Sequence, residues 1–309
     1  MGKKNVVSRT DLALEEQERV QRQGTLKGVE NDCEEFDGFK INRVRIVNEE
    51  GAELLNKPVG NYITIEFDDV FSDGERFVKL IELIASELSK LIELKKDDTV
   101  LIAGLGNSKV TPDSLGPEAI ENIIVTRHLK AYAKEYYEQR KLRSVAAISP
   151  GVLGQTGVET AEIVKGIVNK INPAAVIVID ALCSGRMSRL ATTVQLSDSG
   201  IVPGGGVDNQ RAKISKESLG VPVISVGVPT VVDAATLTAD VMSRLSGKEP
   251  DEKENEAIRE ALTPYDENVF VTPKDIDFII TEISKIVGFS INKAVNSDIS
   301  IEEMESLLA

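Results

Sequence analysis

The chain of 309 residues has no tryptophan, and aromatic residues make up only 4% of it. Proteins that bind single-stranded nucleic acids stack bases on such side chains, so this class is disfavoured. Positive charge is also scarce: 36 Lys and Arg side chains stand against 50 Asp and Glu, which leaves a net charge of −14. An acidic surface repels phosphate backbones, and we therefore expect no direct contact with nucleic acid. Basic proteins that themselves bind nucleic acid would be attracted to this acidic surface.

Cysteine, histidine and long apolar runs are nearly absent as well. The two cysteines, Cys33 and Cys183, indicate a reducing compartment rather than a fold held by disulfides. No apolar run approaches the roughly 18 residues of a membrane helix, and residues 1–17 lack the apolar core of a signal peptide. We expect a cytoplasmic protein without membrane contact. His128 is the single histidine, and no ligand cluster surrounds it, so we expect no metal and no cofactor.

The sequence does contain apolar strand patterns that alternate with amphipathic helices. Residues 99–104, 145–149 and 174–180 have the composition of buried parallel strands, and residues 77–94 form a strongly amphipathic helical pattern. This alternation predicts an α/β fold with a mixed, mainly parallel sheet. Residues 1–35 are charged and poor in apolar side chains, which predicts a mobile or peripheral arm. Other predicted elements are strands over 39–47, 61–67, 191–197 and 223–228, a helix opening with Pro117, a helix over 231–245 and a linker over 247–256.

Two aspartates stand at the ends of two of these predicted strands. Asp113 lies in the loop after residues 99–104, and Asp180 ends the run 174–180. In open α/β sheets, ligands bind beyond the carboxyl ends of the strands, so both carboxylates are candidates for one site. Two neighbouring carboxylates can share a proton and activate a water molecule. Alternatively, an aspartate in such a place only caps the following turn or helix.

Two other patterns suggest different chemistry. The glycines of GLGN, residues 104–107, suggest a dinucleotide-binding loop, but the third glycine of that fingerprint would fall at Lys109. Cys183 lies three residues after Asp180 and could pair with His128 as a nucleophile, although nothing else in the sequence supports such a pair. The paired aspartates remain the stronger candidates.

Longer segments of the chain resemble the germination proteases of spore-forming bacteria, enzymes that degrade small acid-soluble spore proteins. The resemblance spans nearly the whole chain, and its motifs VTPD-x-LGP and SPGV-x-G-x-TG-x-ET are highly specific. The matching segments are RTDLALE (9–15), GLGNSKVTPDSLGP (104–117), VTRHL (125–129), AISPGVLGQTGVET (147–160), VIDALCSGRMSRLATTVQLSDSGIVPGGGVDNQR (178–211), SLGVPVISVGVPTVVDA (218–234) and VTPKDIDFII (271–280).

This resemblance implies an aspartate-dependent endopeptidase in which Asp113 and Asp180 are catalytic. It implies a three-layer α/β/α sandwich, similar to the phosphorylase/hydrolase-like fold of hydrogenase maturation endopeptidases, and a homotetramer. It also implies a zymogen that cleaves itself, and we expect the cut within residues 8–14, with Asp11–Leu12 as the favoured bond. Residues 1–11 would then be a propeptide and residues 12–309 a single protease domain. Loss of charge on carboxylates that hold the arm would loosen it, so we expect mild acid to favour activation.

Two other functions remain open at this point. A metal-assisted maturation endopeptidase would need His128 to converge with the aspartates. A catalytically silent protein would bind basic spore proteins and leave them intact.

The donors that stabilise an oxyanion also remain open, with the backbone of residues 104–107 or 149–151 as candidates. The residues Cys183-Ser184-Gly185 depart from the family pattern, so the local geometry after Asp180 stays undetermined.

Overall fold

The computed structural model describes residues 9–22, 24, 26–204, 211–248, 250–262 and 269–308. In that part of the chain, strands alternate with helices. The strands are β1 (Val29–Phe36), β2 (Phe39–Ile46), β3 (Gly60–Glu66), β4 (Thr99–Gly104), β5 (Ser144–Ile148), β6 (Ala175–Ser184), β7 (Thr193–Ser197), β8 (Val223–Asp233) and β9 (Phe270–Val271). The helices are α1 (Ala13–Gln21), α2 (Glu49–Leu55), α3 (Gly74–Leu91), α4 (Leu115–Glu121), α5 (Leu129–Tyr132), α6 (Lys134–Gln139), α7 (Leu153–Thr156), α8 (Thr160–Ile171), α9 (Lys216–Leu219), α10 (Ala234–Ser246), α11 (Glu252–Leu262), α12 (Ile276–Val295) and α13 (Ile301–Leu308).

The described strands join one mixed sheet in the order β1-β2-β3-β7-β8-β6-β4-β5, and β9 pairs with the end of β8. The predicted α/β class and the mixed sheet are confirmed, but the sheet is partly parallel and not mainly parallel as predicted. Parallel pairing is confined to β8, β6, β4 and β5, whereas the other pairs are antiparallel. Asp37 and Gly38 join β1 to β2, and both have positive φ angles, 51° and 79°. An Asp-Gly pair favours such a hairpin turn.

Helices cover both faces of the parallel part, which confirms the three-layer arrangement. Successive strand residues point to opposite faces. Ile102 of β4 and Ile177 of β6 therefore pack in one apolar core with α3, α4 and α12, while the neighbouring Leu101 and Val176 pack in a second core with α8 and α9. Each of these four side chains is fully buried, and burying one aliphatic side chain contributes about 1.5–3 kcal/mol. Among the described residues, no helix combines the length and the apolar composition required to cross a membrane.

The prediction of a mobile arm over residues 1–35 is wrong for the described part of that segment. Leu12 and Ala13 are completely buried, and α1 packs against β2 and β3. The charged residues were misleading because Glu15, on the buried side of α1, is held by an ion pair with Arg189 instead of by water. Strand β1, at the edge of the sheet, is largely exposed.

Two predicted boundaries also differ from the structure. The helix predicted over 231–245 begins at Ala234, because β8 continues to Asp233, whose carboxylate caps α10 by accepting a hydrogen bond from the Thr236 N–H. The predicted linker over 247–256 contains the start of α11. Pro117 lies within the first turn of α4, which begins at Leu115.

Candidate active site

Asp180 lies within strand β6, four residues before its end, and not at the end of a strand as predicted. The strand continues because its residues up to Ser184 keep pairing with β8. On its other side, however, β6 loses its neighbour: the last residue pair between β4 and β6 joins Gly104 to Ile179. Asp180 is therefore the first residue beyond the carboxyl end of β4. Its side chain stands at the edge where this part of the sheet opens, which is the location that the strand pattern predicted.

Asp113 reaches the same place by a loop. It ends a short 3-10 helix (Thr111–Asp113) nine residues after β4. The loop folds back on itself, since the Asn107 N–H donates to the Asp113 carbonyl oxygen and to its Oδ2, both at 3.0 Å. The Thr230 hydroxyl, on β8, donates to the Pro112 carbonyl oxygen at 2.6 Å and fixes the loop to the sheet. These bonds hold the Asp113 carboxylate over the end of β4.

The glycines of the GLGN segment serve this packing. Gly106 has a φ of 116°, and a Cβ atom there would lie 2.0 Å from the Asp113 carbonyl oxygen. A Cβ atom on Gly104 would lie 2.1 Å from the Gly116 carbonyl oxygen. Only glycine permits these approaches, because it has no side chain and adopts positive φ freely. The segment brings the Asp113 loop onto the sheet, which gives its glycines a role other than nucleotide binding.

Asp113 and Asp180 line the same cavity of about 310 Å³. Asp11, from the N-terminal segment, lines it as well. Asp11, Asp180 and Arg211 line this cavity and also a second one, of about 520 Å³, which extends over β7 and carries Lys213 as well. The three carboxylates thus meet where two neighbouring cavities adjoin.

The electrostatics of these carboxyl groups favour a shared proton. Burial raises the pKa of Asp180 well above its ordinary value, and the nearby charges of Asp113 and Asp11 raise it further. Burial also raises the pKa of Asp113, although the Asn107 N–H works against the shift. The Asp11 pKa is raised by burial too, opposed by the Lys57 ammonium. Because like charges this close cannot all ionise easily, the group retains a proton at a pH where isolated carboxylates have none.

The predicted processing site lies directly in this region. The Asp11 N–H donates to the Cys183 carbonyl oxygen at 2.8 Å, and the Cys183 N–H donates to Asp11 Oδ2, also at 2.8 Å. The Asp11 carbonyl oxygen, which belongs to the Asp11–Leu12 peptide bond, accepts a hydrogen bond from Gln195 Nε2 at 3.1 Å. Lys57 donates to the Thr10 carbonyl oxygen at 3.1 Å. The segment is therefore held along the end of β6, beside Asp180.

A buried ion-pair network anchors the helix that follows. Arg189 contacts three carboxylates, at 3.4 Å from Glu15, 2.6 Å from Glu18 and 2.9 Å from Glu66. Glu15 in turn accepts hydrogen bonds from the Ser184 hydroxyl at 3.0 Å and from the following backbone N–H at 2.6 Å. Although burial opposes it, the Arg189 guanidinium lowers the pKa of Glu18. The network fixes α1 to the end of the strand that carries Asp180.

The other candidate residues do not join the aspartates. His128 is exposed and lines a different cavity, together with residues of α13 such as Leu307. Within the described ranges, no three Asp, Glu, Cys or His side chains come together as metal ligands. Cys183 is buried, and burial first, then the charge of Asp11, raises the pKa of its thiol to about 12. A thiol with that pKa is protonated at neutral pH and is a poor nucleophile.

The sequence analysis missed Gln195. It is a polar residue on β7, only 7% exposed, inside the strand predicted over 191–197. That position was a usable signal, because buried amides are uncommon and need hydrogen-bond partners. For the oxyanion, two backbone donors of residues 104–107 are already engaged, since Leu105 bonds to Ile179 and Asn107 to Asp113.

Comparison with known proteins places the chain among peptidases. The profile of the germination protease family, peptidase A25, matches residues 6–246 and 241–307. The chain is 45% identical over 318 residues to the germination protease of Caldanaerobacter subterraneus subsp. tengcongensis, covering 97% of this chain and 98% of that protein. It is 41% identical over 321 residues to the germination protease of Clostridium tetani, covering 97% and 99%.

A solved structure, the [NiFe] hydrogenase maturation protease HycI from Thermococcus kodakarensis KOD1, aligns with 65% of this chain and 98% of its own at 16% identity, with a TM-score of 0.32. That likeness is too loose to assign a fold or a function.

The full-length match to germination proteases is sufficient for the family and for the class of reaction. The chain therefore belongs to the germination protease family and is an endopeptidase.

Proposed function

We propose that this endopeptidase begins the degradation of small acid-soluble spore proteins during spore germination, and that Asp113 and Asp180 carry out the hydrolysis. The observation that supports it most directly is the meeting of both carboxylates at one cavity, where each has a raised pKa and the charge of Asp113 contributes to the shift of Asp180. A pair that holds one proton between two carboxyl groups can act as base and acid in the same step.

The surroundings of the two carboxyl groups suggest how the roles divide. Asp180 is only 6% exposed, and burial raises its pKa well above the ordinary value, so it holds the shared proton. Asp113 is partly exposed and accepts the Asn107 N–H, which stabilises its ionised form. Asp113 then takes a proton from the attacking water, whose oxygen bonds to the peptide carbonyl carbon. Asp180 donates its proton to the carbonyl oxygen. As the peptide bond breaks, Asp113 passes the proton it took from water to the leaving nitrogen, and Asp180 regains a proton from the hydroxyl group on the same carbon.

We further propose that the chain is made as a zymogen. Residues 9–12 lie beside the aspartates and are held by hydrogen bonds to Cys183 and Gln195, so another peptide chain could not take this position at the same time. A cut between Asp11 and Leu12 would free the cleft and leave α1 anchored through Arg189. Residues 1–8 of the proposed propeptide lie outside the described residues.

The pKa of Asp11 changes the expected effect of acid. Because burial raises this pKa, the docked segment binds a proton more tightly than a released segment would. Protonation therefore stabilises the docked position, and deprotonation at higher pH weakens it. Mild acid would still favour the cut, but by seating Asp11 beside the protonated pair rather than by loosening the arm.

The substrate and the assembly complete the proposal. Spore proteins with basic DNA-binding regions would be attracted to a chain of net charge −14, in competition with DNA. A homotetramer located in the forespore and spore core is expected. The test is to incubate the purified chain with a small acid-soluble spore protein and to map the fragments by mass. Discrete internal cuts support the proposal, whereas an intact protein that stays bound would favour a non-catalytic binder.

A parallel experiment with a metal chelator tests the alternative of a metal-assisted endopeptidase. Activity that is lost with a chelator and restored by one metal would favour metal-assisted hydrolysis and would overturn the assignment to the aspartate pair. Equal fragment yields with and without the chelator are expected, because among the described residues no three Asp, Glu, Cys or His side chains come together as metal ligands, and His128 lies in a different cavity.

A further inference from the structure

The side-chain amide of Gln195 forms two hydrogen bonds to the backbone of the N-terminal segment. Its Nε2 donates to the carbonyl oxygen of Asp11 at 3.1 Å, and its Oε1 accepts from the N–H of Ala13 at 2.8 Å. The two bonds span Leu12 and contact no side chain of the segment. A buried amide satisfied in this way recognises an extended main chain of any sequence.

Gln195 also stands in a fixed relation to the catalytic strand. Asp180 of β6 is paired with Gly227 of β8, and Gly227 is paired with Gln195 of β7. The three residues thus form one row across three neighbouring strands, and residues in such a row point to the same face of the sheet. With two strand spacings between them, the Cα atoms of Asp180 and Gln195 are about 10 Å apart. Both residues line the cavity of about 520 Å³.

We infer that Gln195 is a catalytic residue that binds the main chain of every substrate, with its Nε2 donating to the carbonyl oxygen of the bond that is cut. This inference rests on the proposed function and on the proposed cut after Asp11. As water adds to the carbonyl carbon, the carbonyl oxygen gains negative charge, and a fixed donor then binds that oxygen more strongly than before. The Oε1 atom keeps its hydrogen bond to the Ala13 N–H, which stays with α1 after the cut, and so holds the amide with Nε2 toward the substrate.

Gln195 is buried and needs a hydrogen-bond acceptor, which supports the use of the same amide by a substrate after the propeptide has left. Once residues 1–11 leave, Nε2 would lose the Asp11 carbonyl oxygen as its acceptor. A buried donor without an acceptor costs about 1–3 kcal/mol, and the carbonyl oxygen of an incoming peptide would recover that loss. A polar amide that only fastened the propeptide would gain nothing from the cut. In this view, the residues up to Asp11 occupy the position that the substrate segment with the cleaved carbonyl group later takes.

The test uses the full chain, allowed to process, and a synthetic peptide that copies residues 5–18 as the added substrate. Gln195→Met keeps the size of the side chain and removes both hydrogen bonds. We expect kcat for the peptide to fall on the order of 100-fold, the usual effect of losing one oxyanion donor. Gln17→Met is the matched control, because Gln17 is also a buried glutamine but bonds only to Gln21 within α1.

A purely structural role for Gln195 predicts the opposite results. If the amide only holds the segment down, unprocessed Gln195→Met would cleave the added peptide faster than unprocessed wild type, and the processed variant would have normal kcat. Either result would overturn the inference. If Asp113→Asn and Asp180→Asn are also fully active, the proposed function itself has failed, whereas inactive aspartate variants beside a normal Gln195→Met reject this inference alone.

Gln195→Glu gives a second readout if the methionine variant does not fold. A glutamic acid side chain can donate to the carbonyl oxygen only when it is protonated. The ratio of its kcat to that of wild type should therefore rise as pH falls, since the lost donor is restored by protonation. A ratio that is independent of pH would contradict the role assigned to Nε2.

Discussion

Asp11 and Cys183 are joined by two hydrogen bonds of 2.8 Å, one from the Asp11 N–H to the Cys183 carbonyl oxygen and one from the Cys183 N–H to the Asp11 carboxylate. Cys183 belongs to the strand that carries Asp180, three residues further along. The bond proposed for self-cleavage is thus hydrogen-bonded to the strand that carries Asp180. This relationship explains why an acidic, charged segment is buried instead of solvated.

Removal of either active-site carboxylate should separate activity from stability. Asp113→Asn and Asp180→Asn should each lower turnover by several orders of magnitude, because one carboxyl group cannot serve as both acid and base. The free energy of unfolding at neutral pH should not fall for Asp180→Asn, since burial disfavours the ionised form of Asp180 and the amide cannot ionise. Peptide hydrolysis and urea unfolding are the measurements, with the exposed Asp97→Asn as control. Near-normal cleavage by either variant would refute the pair.

Self-processing should produce a new N-terminus at Leu12. The rate should increase as pH falls from neutral toward the ordinary carboxyl range of about 4, because docked Asp11 binds its proton more tightly than the free segment does. N-terminal sequencing after timed incubation at several pH values measures this rate. Asp113→Asn should yield no new terminus. A chain that still begins at Met1 and cleaves substrate at full rate would rule out the zymogen.

The thiol of Cys183 should be dispensable for catalysis. Cys183→Ala should keep most of the activity and lose about 1 kcal/mol of unfolding free energy from the small space it leaves. The physical reason is that the thiol pKa, raised to about 12, keeps the sulfur protonated at working pH. Hydrolysis of the same peptide and urea unfolding check both parts. A folded but inactive alanine variant would identify the thiol as the nucleophile instead.

Arg189 should be critical for stability because it neutralises several buried or partly buried carboxylates. Arg189→Met should lower the free energy of unfolding by about 3–5 kcal/mol, the usual cost of leaving buried charges unpaired. Arg45→Met is the matched control: its ion pair with Glu30 is exposed, and its loss should cost less than about 1 kcal/mol. Urea denaturation measures both variants. Equal losses for the two would contradict the anchoring role.

Much of the framework followed from the amino-acid pattern alone. Apolar runs that lack polar alternation identified β4, β5 and β6 as buried strands, and the spacing of apolar residues placed α3 within three residues of its observed ends. Hydrophobic periodicity is a local property, so it can be interpreted without knowledge of the partner elements. The family was also recognisable from local sequence, because its long, specific motifs, such as VTPD-x-LGP around Asp113, are contiguous stretches of the chain.

Only the tertiary structure decided how distant residues combine. The N-terminal segment was misread as solvated, since its charges find their partner in Arg189, which lies more than 170 residues away in the chain. The same holds for Gln195, whose amide meets the backbone of Asp11 and Ala13 only after β7 and β6 are placed on either side of β8. A sequence carries the identity of a polar side chain, but its burial, pKa and hydrogen-bond partners depend on contacts that exist only in the folded chain.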